Sequence, residues 1–453
     1  MRPINPTTFW EDVIFAPMLV AAAVALPQSD VSRHAGAQDE PTIAASPTDP
    51  AILLAASNDD QWGTDAFTST DGGTTWIRSL PLSPYVGADC AAGDPGAAIA
   101  ADGREFVSYL TAPCASTSPD APSSVYVSSR AGPSGSWEPV LVADASEGNN
   151  DKPALASDNV GASPHHGRAY LVWDRYTSST DRLVISHSDD GGRTWSVPRL
   201  VRGASSTSGT VSVDGLAVGP GGTVYLTWED DDDVAWVSRS TDGGQSFRAS
   251  VRVAKTGLPF SRSCEENPES GGGTAIPAQA QRCVDVNASL AVGPARVVVV
   301  YTARRRGRHL GVDATSFDSM LRRRSAPVSI RPSHGPLRSD QFLPVAAADR
   351  NNGRIWACWY DTRGDATRRS AVFTCSASRD GRRWAIALPV ASVRSDESRP
   401  PADILQFGDY EGLTVGADGV AHPIWTDSRN LATLGEEIYT TALSPSPPCC
   451  GVS

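Results

Sequence analysis

What the chain has little of narrows the field first. Its 453 residues include only 3 Met, 10 Phe and 10 Tyr. No segment beyond the N-terminus keeps a long helical apolar period, which sets aside helical bundles and coiled coils and points to an all-β protein. The apolar run Phe15–Leu26 (FAPMLVAAAVAL) is too short to cross a bilayer as a helix, so no transmembrane span is expected. Positive charge is also scarce. With 39 Lys and Arg against 51 Asp and Glu, the formal charge is −12, which argues against a nucleic-acid partner. Arg304-Arg305-Arg306 and Arg322-Arg323-Arg324 are local exceptions that read as solvated loop or strand-edge charge.

What is present is turn-forming residues, with 40 Gly and 34 Pro, and an ample supply of Trp, with 12. One pattern recurs. Ser69-Thr70-Asp71-Gly72-Gly73-Thr74-Thr75-Trp76 and Ser188-Asp189-Asp190-Gly191-Gly192-Arg193-Thr194-Trp195 both read S-x-D-x-G-x-T-W. Ser240–Phe247 is a third copy, and Ser378–Trp384 a fourth that is one residue shorter. An Asp followed by glycines between apolar runs is a hairpin turn: the carboxylate accepts from nearby backbone N–H groups, and Gly tolerates positive φ. The closing aromatic can pack beneath the turn. Four copies in one chain predict a repeat architecture.

A second repeat is interleaved with the first. It runs from an acidic or polar start through small and apolar residues and a Gly turn to a strand ending in an aromatic. Copies begin at Glu40, Asp94, Asp151, Val213, Val286, Asp340 and Asp409. The aromatic ends Tyr109, Trp173, Trp228, Tyr301, Trp359 and Trp425 lie roughly 55 to 73 residues apart, enough for four short strands each, the size of a propeller blade. The expected fold is therefore an all-β propeller of four-stranded blades, with seven blades favoured. The expected layout is a signal-like or disordered segment over residues 1–38, one propeller over 39–443 and a flexible tail over 444–453. Phe15–Leu26 resembles the apolar core of a signal peptide, and eight cysteines fall in neighbouring pairs: Cys90 with Cys114, Cys264 with Cys283, Cys358 with Cys375, and Cys449-Cys450. Disulfides in a secreted protein fit this pattern, with buried free thiols as the alternative. No spacing suggests a metal site, and no cofactor is expected.

In a meandering blade, the S-x-D-x-G turns share one face with the Gly turns between first and second strands. The opposite face gathers the starts of first strands and the ends of second strands. Asp94, Asp151, Lys152, Asp340, Gln341, Asp409, Tyr410 and Glu411 begin first strands. Trp173-Asp174-Arg175, Trp359-Tyr360-Asp361-Thr362-Arg363 and Trp425-Thr426-Asp427-Ser428-Arg429 end second strands, the last two sharing W-x-D-x-R. Aromatic faces, carboxylates and arginines together suit a carbohydrate ligand. The same Asp–Arg pairs can equally tie blades together. The acidic run Glu229–Asp233 reads as solvated surface.

The S-x-D-x-G-x-T-W pattern resembles the Asp-box, or bacterial neuraminidase repeat, of sialidase-like β-propellers, over about Glu40 to Leu443. The resemblance implies an exported glycoside hydrolase of exo-α-sialidase type, with a Tyr nucleophile assisted by a Glu, an Asp acid/base and arginines that clamp the substrate carboxylate. Carried onto this chain, it makes Tyr410, Glu411, Asp361 and Asp94 the catalytic candidates, with Tyr360 as another possible nucleophile and Asp89 another acid. Arg363, Arg429, Asp427, Arg175, Asp340 and Asp409 are the substrate-binding candidates. The chain departs from the family at its start, since no Arg occurs between Arg33 and Arg78. Sialidases themselves are six-bladed, which keeps six blades as the alternative count. The expected partner is a glycan, met by a monomer. The competing reading is a non-catalytic propeller that binds glycan or protein; a polysaccharide lyase is a third, without a residue signature.

Overall fold

The computed structural model describes residues 27–60, 63–79, 85–86, 89–114, 121–177, 180–204, 210–258, 274–305, 309–330, 338–400, 402 and 406–444. The Phe15–Leu26 run, Cys264, Cys449 and Cys450 lie outside them. Seven antiparallel sheets follow one another as the blades of a β-propeller. Their first, axial strands are Thr42–Ala45, Asp89–Ile99, Asn149–Ser157, Val211–Gly219, Ser289–Val292, Gln341–Ala348 and Gly412–Val415. Each continues outward through consecutive neighbours, and the second blade carries one extra short strand, Tyr85–Val86. No helix among the described residues is long and apolar enough to cross a membrane.

The aromatic ends that set the blade count are all buried at 1 % exposure or less. They belong to apolar layers between blades. Tyr170, Val172, Ile185, Val213, Leu226 and Trp228 join the third blade to the fourth, and Val298, Val312, Ala346, Ala357 and Trp359 join the fifth to the sixth. Burial of such side chains contributes about 2 kcal/mol each, so the layers dominate stability.

The four S-x-D-x-G turns each link a third strand to a fourth. In the first, the Ser69 hydroxyl accepts from Gly73 N at 2.8 Å and donates to Asp71 Oδ1 at 2.8 Å, and Asp71 accepts from Thr75 N and Thr75 Oγ1 at 2.9 and 2.6 Å. The turns at Asp190 and Asp242 repeat the arrangement. In the shortened fourth copy, Asp380 accepts from Arg382 N and Arg383 N instead. Gly72 and Gly73, with φ of 71° and 87°, adopt the left-handed backbone these turns require. Gly72 N also donates to Ala51 O, which places the turn beside the Gly-type turn between the first and second strands, as expected.

Two disulfides pin blades. Cys90–Cys114 braces the second blade, and Cys358–Cys375 joins directly paired residues on adjacent strands of the sixth. Cys283 is also disulfide-bonded.

The ring closes in a way the sequence reading did not anticipate. Gln28, Ser29 and Asp30 pair with Thr441, Thr440 and Tyr439 as the outer strand of the seventh blade. Val31 is buried in the layer with Ile43, Phe67, Ile424 and Ile438, and Gln38 and Asp39 are buried. The propeller thus begins before Asp39. Three residues carry no legible strand period, so the strand went unseen. A variant lacking residues 1–26 is expected to melt like the full chain, while one lacking 1–38 melts several degrees lower or aggregates; calorimetry of the two compares them directly.

Candidate functional site

The axial strands all enter the ring at the end away from the S-x-D-x-G turns. At five of these entries a non-glycine residue takes positive φ: Glu40 (49°), Asp94 (54°), Lys152 (45°), Asn287 (47°) and Leu343 (48°). Four of them precede a proline, in Glu40-Pro41, Asp94-Pro95, Lys152-Pro153 and Leu343-Pro344. A left-handed backbone costs such residues about 1–2 kcal/mol each, and it persists only where the surroundings enforce it. The strand ladder breaks at Asp94, Lys152 and Leu343, with register shifts between Gly93 and Gly96, Asp151 and Ala154, and Phe342 and Val345, and in the fourth blade between Val213 and Gly215. The bulges free these residues from pairing at the axis.

Polar side chains meet there. Arg282 grips Asp409 with two bonds of 2.6 Å and reaches Glu40 Oε1 at 3.1 Å. The Lys152 ammonium lies 3.6 Å from Asp409 and 4.0 Å from Asp285. Asn58 donates to Glu40 and Asp39 and accepts from Asp94 N. Lys152 N donates to Asp94, Val286 N donates to Glu229, and Asn287 donates to the Asp409 carbonyl. Arg282 arrives on a hairpin, Thr274–Ile276 with Gln279–Val284, which reaches across to the seventh blade through Gln279 on Gly408 O and Gln281 N on Gln406. Beneath it lies a cavity of about 180 Å³ to which every blade contributes, with Lys152, Asp214, Asn287, Asp409, Tyr410 and Glu411 in its wall.

The charges do not balance, and the acids divide. Burial disfavours an ionised Asp409, but Arg282 and Lys152 outweigh it and hold the carboxyl well below the usual range. Burial likewise opposes the Lys152 charge, and Asp409, Asp285, Glu229 and Asp151 overcome it and keep the ammonium protonated. The remaining acids go the other way. Burial, then Glu40 and Asp151, push Asp94 well up. Burial and Asp214 raise Glu229, burial and Glu229 raise Asp285, and burial raises Asp214 to about 7. Tyr410 is raised by burial and by Glu40 and Asp94, and its hydroxyl is 3.4 Å from Pro95 O.

Of the residues singled out from the sequence, the axis gathers Asp94, Asp409, Tyr410 and Glu411. Tyr410 and Glu411 do not pair with each other. Glu411 instead accepts from the Tyr360 hydroxyl at 2.6 Å, inside a cage of Phe342, Phe373 and Phe407, so Tyr360 is a fully buried core residue behind the cavity wall. The others are not in the cavity wall. Asp361 accepts from Arg363 and Gln341, Asp427 from Arg429 through two bonds and from Trp425, Asp340 from Arg368 and Leu310 N, and Arg175 pairs with Glu147 over Trp173. Glu40, Asp214, Glu229, Asp285 and Arg282 were not among the candidates. Glu229 and Asp230 are buried, which corrects the reading of that acidic run as solvated. The recurring acid-or-base–Pro step is the signal that marks this end of the ring. Elsewhere, His34, Asp59 and Asp65 lie close enough to share a metal ion, but Arg78 already bonds Asp65 and Gln38 bonds Asp59.

No protein-family profile and no curated protein matches the chain. Among solved structures, it is similar to a polysaccharide lyase described as an ulvan lyase, at 12 % identity and TM-score 0.51 over 92 % of this chain and 96 % of that one. It is also similar to a sialidase of Trypanosoma rangeli at 13 % identity and TM-score 0.44, over 78 % of this chain and 60 % of that one. A Dyadobacter fermentans protein of unknown function aligns at 16 % identity and TM-score 0.46, covering 78 % and 98 %. The lyase match shows a shared propeller fold.

Asp214 gives a pH test with a definite sign. Its carboxyl keeps a proton in the folded chain up to about pH 7, whereas the unfolded chain releases it near pH 4. The folded state binds more protons across that interval, so this group's contribution to stability falls as pH rises through it. Asp214→Asn is expected to lessen the loss of Tm between pH 4 and 7, followed by calorimetry at half-unit steps.

Proposed function

We propose that the chain is an exported carbohydrate-active enzyme that cuts a glycosidic bond at the axial mouth away from the S-x-D-x-G turns. The observation that carries this reading is the geometry of the mouth: Asp409, gripped by Arg282 and Lys152, stands next to Tyr410 in the cavity wall, while Asp94 accepts from Lys152 N and is pushed up by burial and by Glu40 and Asp151. Two carboxyls pushed apart in this way are what acid/base bond cleavage needs. Asp94, half-buried next to Pro95 of the cavity wall, is the proton donor to the leaving oxygen. Asp409 remains ionised and stabilises positive charge as it develops on the sugar ring. Tyr410 offers a ring face for stacking, and Lys152 and Asn287 offer donors to hydroxyls. The resemblance of the turns to sialidase repeats supports a glycan ligand, and the disulfides fit an oxidising compartment.

A binding propeller without catalysis is the second reading. It draws on the closed Asp361–Arg363 and Asp427–Arg429 pairs, which leave those arginines committed to structure.

Hydrolysis of a fluorogenic sialoside and of neutral and uronic glycosides by the full chain decides between them. Asp94→Asn and Asp409→Asn are each expected to lower kcat by about 10²- to 10⁴-fold with the circular dichroism spectrum unchanged. Sialoside turnover lost in Tyr410→Phe would assign the nucleophile to Tyr410. Absence of turnover on every substrate by the folded wild type would overturn the enzyme reading and leave glycan binding.

A further inference from the structure

The ring has a second mouth, on the side of the S-x-D-x-G turns. A larger cavity of about 500 Å³ opens there among the far ends of the axial strands. It shares Leu155, Asp214, Val345 and Glu411 with the acidic cavity, so only the waist of the ring separates the two. Apart from Asp214 and Glu411 at that waist, Arg350 is the charged residue in its wall.

Arg350 sits in the tight turn between the first and second strands of the sixth blade. That turn is fixed by Gly353 N on Asp349 O and Asn351 N on Asp349 Oδ1. Its guanidinium makes no hydrogen bond or ion pair with any described residue. The carboxylate whose field reaches it is Asp158, from the third blade, across the ring. Asp158 is fully buried and already bonded to Ser163 Oγ and Val160 N. Arg350 is exposed at this turn and lines the recess, and the protein packed around it lowers its pKa. Polar groups stand nearby in the same wall: Asn351, Asn159 and Ser157. The Asn159 carbonyl and the Ser157 hydroxyl are buried without partners.

A guanidinium that lines a recess with no counter-charge among the described residues can take an oxyanion through paired, charge-assisted bonds. We propose that this mouth is an anion-binding site in which Arg350 holds the carboxylate, sulfate or phosphate of a small ligand. The site is independent of the acidic mouth. There Arg282 and Lys152 are both engaged by Asp409, so among the described residues of the two mouths the uncommitted cation is Arg350.

The test is isothermal titration of the full chain with sodium glucuronate, sodium sulfate and sodium phosphate at constant ionic strength. Wild type, Arg350→Gln, Arg350→Lys and Arg193→Gln are compared, Arg193 being an exposed arginine of the Ser188–Trp195 turn. Saturable binding to wild type is expected, at least tenfold weaker in Arg350→Gln, partly kept in Arg350→Lys and unchanged in Arg193→Gln, with Tm equal across the set. Binding of glucuronate alone would assign a carboxylate sugar, and equal binding of all three a general oxyanion site; both support the proposal. Absence of saturable binding by any of the three, or equal affinity in wild type and Arg350→Gln, would overturn it.

Discussion

Seven strand entries crowd one axis, and the polar side chains they carry must be accommodated with very little water. This constraint shapes much of what surrounds it. Among the described residues two cations, Lys152 and Arg282, face a larger set of carboxyls there, and both converge on Asp409. The field that secures one ionised carboxylate leaves its neighbours to satisfy burial by keeping protons, because separating an unpaired charge from water costs far more than protonating it. The division between Asp409 and Asp94 therefore follows from geometry. Asp409 lies against both cations, while burial and the neighbouring acids Glu40 and Asp151 raise Asp94.

The backbone contributes to the same result. Positive φ at Glu40, Asp94, Lys152 and Asn287 is strain that the apolar layers between blades can sustain, since those layers supply many times the cost. A regular strand would alternate its side chains into the neighbouring blades. The bulges in the second, third, fourth and sixth blades turn polar residues away from those layers and toward one another.

Legibility in the sequence follows the range of the interactions. The S-x-D-x-G turns are local: the Ser hydroxyl, the Asp carboxylate and the glycines act within five residues, so the pattern reads directly. The blade count is also legible, because each buried aromatic end, such as Trp173 or Trp425, serves its own blade. The axial site is only partly so. Asp94, Asp409, Tyr410 and Glu411 stand at strand starts and could be placed at the axis by topology alone. Arg282 could not, since it comes from an insertion whose reach across the ring depends on folded contacts with Gly408 and Gln406. W-x-D-x-R is as regular as any motif here, yet its Asp and Arg close on each other at the blade ends. A repeated polar pattern in a repeat protein marks a repeated structural need at least as readily as a shared site.

The closing strand has a consequence in time. Gln28–Asp30 leaves the ribosome about four hundred residues before its partner Glu437–Thr441. At ordinary elongation rates the first strand waits tens of seconds with its edge open. The blades between can form in order as they emerge, but the ring stays an open arc until these two strands meet. During that interval an exposed strand edge is a hazard for pairing with another chain. The three-residue length of Gln28–Asp30 limits that hazard: too short to recruit a stranger firmly, it holds only where the seventh blade and the Val31 layer receive it together.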